Sequence, residues 1–367
     1  MEKGVAQETI DSELMLFAPV PVNRSTERVS YVEYRPTNQL TQSSPVEISI
    51  PGHSTQYLDL RRCKLNVKCK VVKADGTSLA DEDVVTPVNM LLHTLWDKID
   101  VSLQQKLVTS GSSGHSYRAY LDALLNCGKP QLESVFQAQM FFKDTAHSIN
   151  ETEPDGSPTN FGLLERNKLA KNSQTIDMTG NLFTDLNFDR YLINGISVLI
   201  RLHQTGNAFR LITKNEAAQY KVELTEVVFK ACQVTVAPEI LAAHNTALSK
   251  HMALYPFVRT ELKAFAIPQG SYSFASSDIF LGSIPTKLVC CFVSAAAYSG
   301  SYTTNPFNLH HYNINFLSLT IDGQSVPGRP FMCNFKEGKG QNYIEAYTAL
   351  FSGLRKEEED SGLDINR

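Results

Sequence analysis

The chain has 367 residues, is 42% hydrophobic and 20% charged, and so can bury real cores rather than remain disordered. Its formal net charge of −4 argues against a protein that coats nucleic acid, which needs Lys and Arg in excess on one face. No apolar run approaches the roughly 18 residues of a membrane helix, and Met1-Glu2-Lys3-Gly4 opens no secretory leader, so neither a span nor a signal peptide is expected.

Residues 1–44 read as an arm of mixed charge, with Pro, Ser and one strand-like run at 29–34. Strands then begin. Residues 46–50 alternate apolar and polar and stop at Pro51-Gly52; residues 57–72 form one long alternating strand that ends at Ala74-Asp75-Gly76. Within that strand Arg62, Lys64, Lys68 and Lys70 share one face with Asn66. Arg61, Cys63, Leu65, Val67 and Cys69 share the other, which predicts a half-buried strand with a solvated basic side. Residues 91–108 read as a strand pair turning at Gln104-Gln105. Tyr117, Tyr120, Leu121, Leu124 and Leu125 then follow helical spacing, with Gly128 and Pro130 as the stop.

A polar loop fills 143–162 and suits a surface tip or an intersubunit contact. Further strands are expected at 174–181, 195–204 and 220–236, and a connecting helix at 238–252. Beyond it strands are expected at 255–267, 271–280, 287–296 and 313–321, with another at 331–335. The fold class predicted is all-β: two jelly-roll β-sandwich domains in tandem, the second incomplete at the C-terminus, with short helices in loops and a linker helix. The boundaries are an arm (1–44), a first jelly roll (45–236), a connecting helix (237–252), a truncated second jelly roll (253–354) and a polar tail (355–367).

An internal repeat supports the tandem. Val101 to Val108 is followed by Tyr117-Arg118-Ala119-Tyr120-Leu121-Asp122-Ala123-Leu124. About 220 residues later Leu319 to Val326 is followed by Tyr343-Ile344-Glu345-Ala346-Tyr347-Thr348-Ala349-Leu350. The second copy has Asp322-Gly323 at its turn, a strong hairpin signal. In the first copy about 108 residues separate Gly128 from Val236; in the second only about 14 follow Gly353, and they are too polar for a sheet. The chain is therefore expected to be a fragment or shortened form, poorly soluble alone, with unpaired strand edges.

No residue is assigned a catalytic, cofactor-binding or metal-binding role. Gly111-Ser112-Ser113-Gly114 has the wrong order for a nucleophile elbow and reads as a turn, and Gly338-Lys339-Gly340 lacks the remainder of a phosphate loop. His310-His311 would point to opposite faces of a strand, and His244 and His251 are two helical turns apart, so neither pair suits one ion. Asp81-Glu82-Asp83 and Glu357-Glu358-Glu359-Asp360 read as solvated charge runs, and the aromatics of 302–312 as core or interface. The seven cysteines (63, 69, 127, 232, 290, 291 and 333) show no C-x-x-C spacing; they read as small hydrophobes in a reducing compartment, where the sequon at Asn150-Glu151-Thr152 stays idle.

Tyr57-Leu58-Asp59-Leu60-Arg61-Arg62-Cys63-Lys64-Leu65, Thr86-Pro87-Val88-Asn89-Met90-Leu91-Leu92-His93, Ile99-Asp100-Val101 and Tyr117-Arg118-Ala119-Tyr120-Leu121 follow one another in an unusual order. From about Val46 to Arg367 the chain resembles the hexon-like, double jelly-roll major capsid proteins of Polinton (Maverick) elements, adintoviruses and virophages. The resemblance implies a non-enzymatic structural protein of an icosahedral virion shell, made in the host cytoplasm or nucleus and encoded by an integrated viral element. It implies homotrimers that form pseudo-hexameric capsomers, with penton or minor capsid proteins as partners, no cofactor, no specific nucleic acid and no membrane span. Arg24, Arg28 and Arg35 of the arm would suit an inner-face tether. Such proteins would continue beyond Arg367 with the strands the second copy lacks. Two other readings stay open: a single jelly-roll penton or minor capsid protein, and a host jelly-roll that binds sugar or acts as an oxygenase.

Overall fold

The computed structural model describes residues 24–109, 112–215, 217, 219–277, 279–280, 282, 284–336, 342–357 and 365. Eight strands build a sandwich: β1 (Thr26–Tyr34), β2 (Val46–Ile50), β4 (Lys64–Lys73), β6 (Trp96–Leu103), β7 (Lys106–Leu107), β8 (Ile176–Gly180), β9 (Val198–Gln204) and β11 (Tyr220–Val236). One sheet runs β1-β11-β4-β8, with the short β3 (Gln56–Leu58) also on β11; the other runs β2-β9-β6-β7. All these pairings are antiparallel. Among the eight, first pairs with last, second with seventh, third with sixth and fourth with fifth. That is the order left when one long hairpin is rolled into two facing sheets, the jelly-roll topology.

The alternation that predicted the strands also makes the core. Ile48, Val67, Cys69, Val101, Ile200 and Phe229 point between the sheets, each at most 3% exposed. Burial of such side chains stabilises the fold by about 1.5–3 kcal/mol each. On β4 the opposite face carries Lys64, Asn66, Lys68 and Lys70, as the sequence predicted; Lys68 pairs with Glu226 at 2.8 Å and Arg35 reaches the same carboxylate at 3.0 Å.

β11 changes phase midway. Tyr220, Val222 and Leu224 face inward, then Val227, Phe229 and Ala231, because a bulge between Leu224 and Glu226 inserts one residue opposite β4. Beyond it Val234 and Val236 turn outward and are covered, with Tyr57, by Ile240 and Leu241 of helix α6 (Pro238–Leu248). The linker helix is thus docked on the sheet, and its sequence shows why: Pro238 opens it and its apolar residues face the end of β11.

Three corrections concern boundaries in this half. The strand expected over 57–72 is split. Asp59 accepts a hydrogen bond from Arg61 N and caps a single 3-10 turn, Leu60–Arg62, which takes Arg61 and Arg62 out of the strand. The strand expected from 91 begins only at Trp96, since α1 (Leu91–Thr94) is a buried helical turn. Gly128 does not end the helix in a left-handed cap; with φ −79 it starts the next turn, α3 (Lys129–Leu132). The strand suspected at 29–34 is real and pairs along β11, so the polypeptide after Thr26 belongs to the sandwich.

Beyond α6 the paired elements among the described residues are β12 (Phe316–Ile321) and β13 (Gln324–Met332), followed by α8 (Ile344–Leu354). The repeat is visible here. β6 turns into β7 through Gln104 (φ 48) and Gln105 (φ 66), and β12 turns into β13 through Asp322 (φ 48) and Gly323 (φ 81). Both are two-residue turns with two left-handed centres, and each hairpin is followed by an amphipathic helix, α2 (His115–Asn126) or α8. The strands expected at 255–267 and 287–296, and over the described part of 271–280, are not strands; these segments run without ladder partners and expose Val258, Phe265 and Tyr272. Alternation selects a face but supplies no neighbour.

Gly52 sits where two loops touch. A Cβ there would lie 2.5 Å from both the carbonyl carbon and the oxygen of Gly195. Both obstacles are backbone, so Gly52→Ala is expected to lower stability by about 1–3 kcal/mol, read as a shift in urea midpoint at unchanged slope.

Candidate functional site

Part of the motif, Val88 to His93 and Tyr117 to Tyr120, comes together around α2, while Tyr57 lies apart against β11 and α6. Tyr117 and Tyr120 leave one side of the helix. Tyr120 stacks on Phe307 at 4.1 Å between centroids and 9° between planes, and Tyr117 stacks on Tyr298 at 5.6 Å. Phe307 is 3% exposed and belongs to the same buried cluster as Val88, Leu163 and Ile212. Tyr298 lies on α7 (Ala295–Ser299), so the Tyr-Arg-Ala-Tyr helix holds a segment from the second half of the chain against the first sandwich. Between the two tyrosines Arg118 turns the other way to Asp185, at 2.7 Å, and Asp185 also accepts from Thr260 N at 3.2 Å.

A second anchor lies under the loop of 143–162. Helix α4 (Phe161–Ala170) starts at Asn160, whose side chain accepts from Leu163 N at 3.3 Å and from Thr145 N at 3.1 Å. From its second turn Arg166, fully buried, donates to Pro87 O (2.9 Å), Phe142 O (2.8 Å) and Asp144 Oδ1 (2.7 Å). Asp144 also receives Asn160 Nδ2 at 2.9 Å, and Asn305 of the second half at 3.4 Å. Asn150 of the sequon accepts from Asn305 N at 3.0 Å. Asn160→Ala should remove the cap and loosen this loop, at a loss of roughly 1–2 kcal/mol, visible as faster amide exchange over 145–149 before global unfolding.

The third cluster is a histidine pair. His93 and His115 are both buried, with His93 Nδ1 3.4 Å from His115 Nε2 and His93 Nε2 2.8 Å from Gln139 Oε1. The amide oxygen must accept, so His93 carries its proton on Nε2 and accepts the His115 Nε2–H on Nδ1. Burial pushes His93 down to about 4, against a smaller opposing effect from Gln139; burial, then His93 and Arg118, push His115 well below the ordinary imidazole range. Both rings are neutral at neutral pH. Beside His115 a cleft of about 30 Å³, bordered by Gly114, Arg118, Phe183 and Leu262, has room for one or two waters.

The other sequence candidates scatter. Of the turn expected at 111–114, Ser113 is a bend and Gly114 (φ 92) stands at the start of α2; Gly111, Gly338-Lys339-Gly340 and Glu358 to Asp360 lie outside the described residues. His310 packs against Tyr312, while His311 stacks on Phe335 at 4.3 Å. His244 meets Tyr57 Oη at 2.9 Å. Asp83 corrects the reading of a solvated acidic run: it takes Lys73 at 2.8 Å, Tyr220 Oη at 3.0 Å and Ala80 N at 2.8 Å, and Lys73 first of all holds its carboxyl below the usual range. Cys63, Cys69, Cys127 and Cys232 are buried as expected, and burial raises the Cys63 and Cys69 thiols to about 12; Cys290 and Cys291, read as buried, are exposed. Among the described residues no three His, Cys, Asp or Glu side chains gather as metal ligands, and no helix is long and apolar enough to cross a membrane.

What these groups do together is fasten. Arg118 and Arg166 are spent on ion pairs and backbone carbonyls, buried Arg210 on the amide oxygens of Asn207 and Gln204, the imidazoles are neutral and held by each other, and the buried thiols stay protonated. Sequence reasoning missed the histidine pair, Arg166–Asp144 and α4; the signals were a polar residue inside Leu91-Leu92-His93-Thr94-Leu95-Trp96 and Asn160 in the capping position.

No family model matches the chain. It is 25% identical over 323 residues to the uncharacterized protein F54H12.2 of Caenorhabditis elegans, covering 85% of this chain and 74% of that one. Similar solved structures include the Faustovirus major capsid protein (10% identity, TM-score 0.39, 65% of this chain and 59% of that one) and the Sputnik virophage structure by cryo-EM (13%, 0.38, 65% and 53%). The mavirus major capsid protein is a third (11%, 0.34, 65% and 54%), and the chain spans between half and three-fifths of the length of these three.

Proposed function

We propose that this chain is a structural subunit of a protein shell, a hexon-like capsid protein of an integrated Polinton-type viral element, and not an enzyme. The observation that carries the reading is the rolled-hairpin strand order of the first sandwich, together with the second copy of its β6–β7 hairpin and following helix. The motif residues support it, since Asn89, His93, Tyr117, Arg118 and Tyr120 pack or pair inside the chain. A jelly roll is rigid, and two fused copies let three chains present six similar blocks, so that assembly needs area and loops rather than reactive groups. On this reading residues 45–236 are the first block, 237–252 the connector and 253–354 the second, with penton or minor capsid proteins filling the vertices of the lattice. Arg24, Arg28 and Arg35 belong to the arm of 1–44, whose β1 pairs along β11, and Arg35 is held by Glu226 at 3.0 Å.

The test is assembly. Purified chain should sediment as a trimer and, at raised concentration or with a partner vertex protein, form closed particles visible by electron microscopy. A monomer at all concentrations, or one equivalent of tightly bound iron or zinc, would sink the proposal.

A further inference from the structure

Residues 254–262 lie across the end of the first sandwich as a strap. Arg190 donates to Leu254 O at 2.7 Å, Tyr255 Oη accepts from Ile193 N at 2.9 Å, and Tyr255 and Phe257 pack on Phe188. Further along, Thr260 N donates to Asp185, and Leu262 presses on Gly114, where an added Cβ would meet Leu262 Cδ2 at 2.9 Å. The strap joins no β-ladder among the described residues, so these few contacts fasten it. Thr260 and Leu262 also wall the cleft that His115 and Arg118 border. The His115 ring, in a residue 7% exposed, gives its Nε2 to His93, so a second proton would enter on Nδ1. That imidazolium would share a dry site with the Arg118 guanidinium one turn along α2, and like charges there repel strongly. Asp185 and Asp122 are already engaged by Arg118, at 2.7 Å and 3.6 Å. The remaining charges nearby are Asp97 of β6, which accepts from Gly114 N, and Arg259 of the strap, which donates to Val108 O. α1 adds neutral His93, and the turn Val135–Gln139 adds the amide of Gln139.

We infer that strap, cleft and His115 form an acid-released latch: a proton taken up by His115 frees residues 254–262 from α2 and the 183–193 loop while the sandwich stays folded. Lifting Thr260 and Leu262 removes one wall of the cleft, so water reaches the ring and solvates the imidazolium. The open form therefore holds one proton more than the closed form, and acid shifts the balance toward it. His93 stays neutral, because its Nδ1 still accepts from the charged ring. Segments fastened by few contacts open before the ladders do, which is why release precedes unfolding. Opening bares Tyr255, Phe257 and Leu262 and detaches the start of the second half from the first. The inference does not rest on the shell reading, because it follows from the strap and the cleft alone.

The test is hydrogen exchange of the full chain, read residue by residue from pH 7.5 to 5 and corrected for the intrinsic pH dependence of amides. The reporters are Thr260 N–H, bonded to Asp185, and Ile193 N–H, bonded to Tyr255 Oη. Their opening constant should rise about tenfold per unit below about pH 6.5, while amides of the β4–β11 ladder stay slower throughout. His115→Gln should abolish the rise and His93→Gln should keep it. Leu262→Ala alters the strap alone, so it serves even where the His115 variant fails to fold: opening should be more frequent at every pH, with the slope unchanged. Opening of the two reporters that does not vary with pH would overturn the inference. So would a rise that survives His115→Gln, or reporters that exchange at the rate of the ladder, which would make the acid effect global unfolding.

Discussion

Replacing Arg166 with Leu is expected to remove roughly 3–5 kcal/mol of folding stability. The guanidinium is fully buried and Asp144 is 4% exposed at its side chain, so neither charge keeps water when the other is deleted. Asp144 would keep the Asn160 and Asn305 amides, the carbonyl of Pro87 would lose the Arg166 donor, and that of Phe142 would keep Asn89 Nδ2 at 2.7 Å. Taking Asp144→Leu together with Arg166→Leu should recover a large share, because two apolar side chains in a dry site avoid the stranded charge. The double variant should stay about 1–3 kcal/mol short of the parent, owing to the Pro87 carbonyl that loses its Arg166 donor. Urea unfolding of the four chains of this cycle measures the coupling directly. A single-variant loss under 1 kcal/mol would mean that water reaches the pair and that the loop of 143–162 is not fastened there.

The strands of the first sandwich were readable because one rule governs them. β2 falls on the expected 46–50, β9 and β8 within three residues of their expected ends, and β11 over the whole of 220–236, since each is buried on one face and alternates accordingly. β11 could be read as one strand only because its bulge keeps both halves apolar; the phase change at Thr225 is invisible without β4 beside it. The break between β3 and β4 was hidden by the opposite effect. Asp59-Leu60-Arg61-Arg62 holds no Gly or Pro to mark a break, and the capping carboxylate of Asp59 is what turns the chain. α4 escaped because its apolar residues form no single stripe: Phe161 and Leu169 are exposed, and the helix is held by Arg166 and Asn160 rather than by a greasy face.

The buried clusters were beyond sequence rules for a different reason. His93 and His115 are 22 positions apart, and Arg166 and Asp144 also 22, so no local spacing brings them together. The motif Asn89-x-x-x-His93 was noticed as unusual, and its meaning is packing. Asn89 ties Met90 N and both polar groups of Phe142, while His93 fills the apolar space beneath Phe183. The second half shows the limit in reverse. Its alternating segments satisfy every local strand signal, yet pairing depends on a neighbour, and only the β12–β13 hairpin carries its neighbour within its own turn.

Acid should weaken this protein between about pH 6.5 and pH 4, before its carboxylates matter. His93 has a folded pKa near 4 because burial disfavours the imidazolium, against about 6.5 in an unfolded chain. Below pH 6.5 the unfolded state therefore takes up a proton that the native state refuses, and stability falls with falling pH until the folded pKa is reached. At about 1.4 kcal/mol per unit, His93 alone accounts for a loss of about 3 kcal/mol. His115 is shifted in the same direction, by burial first and then by His93 and Arg118, and adds to the loss. Asp122 works against it: burial raises its carboxyl, so its native-state protonation favours the fold as pH falls. Asp75, Asp83 and Glu226 are shifted below their usual range, and their contributions disappear only in stronger acid. His93→Gln keeps a polar partner for Gln139 and removes one titrating ring, so its stability should be flatter across this window by about 3 kcal/mol, with His93→Gln/His115→Gln flatter still. Urea midpoints measured every half unit from pH 7.5 to 4 decide it. Parallel curves for the parent and both variants would show that the two rings reach solvent in the folded chain, and the dry, neutral pair would have to be abandoned.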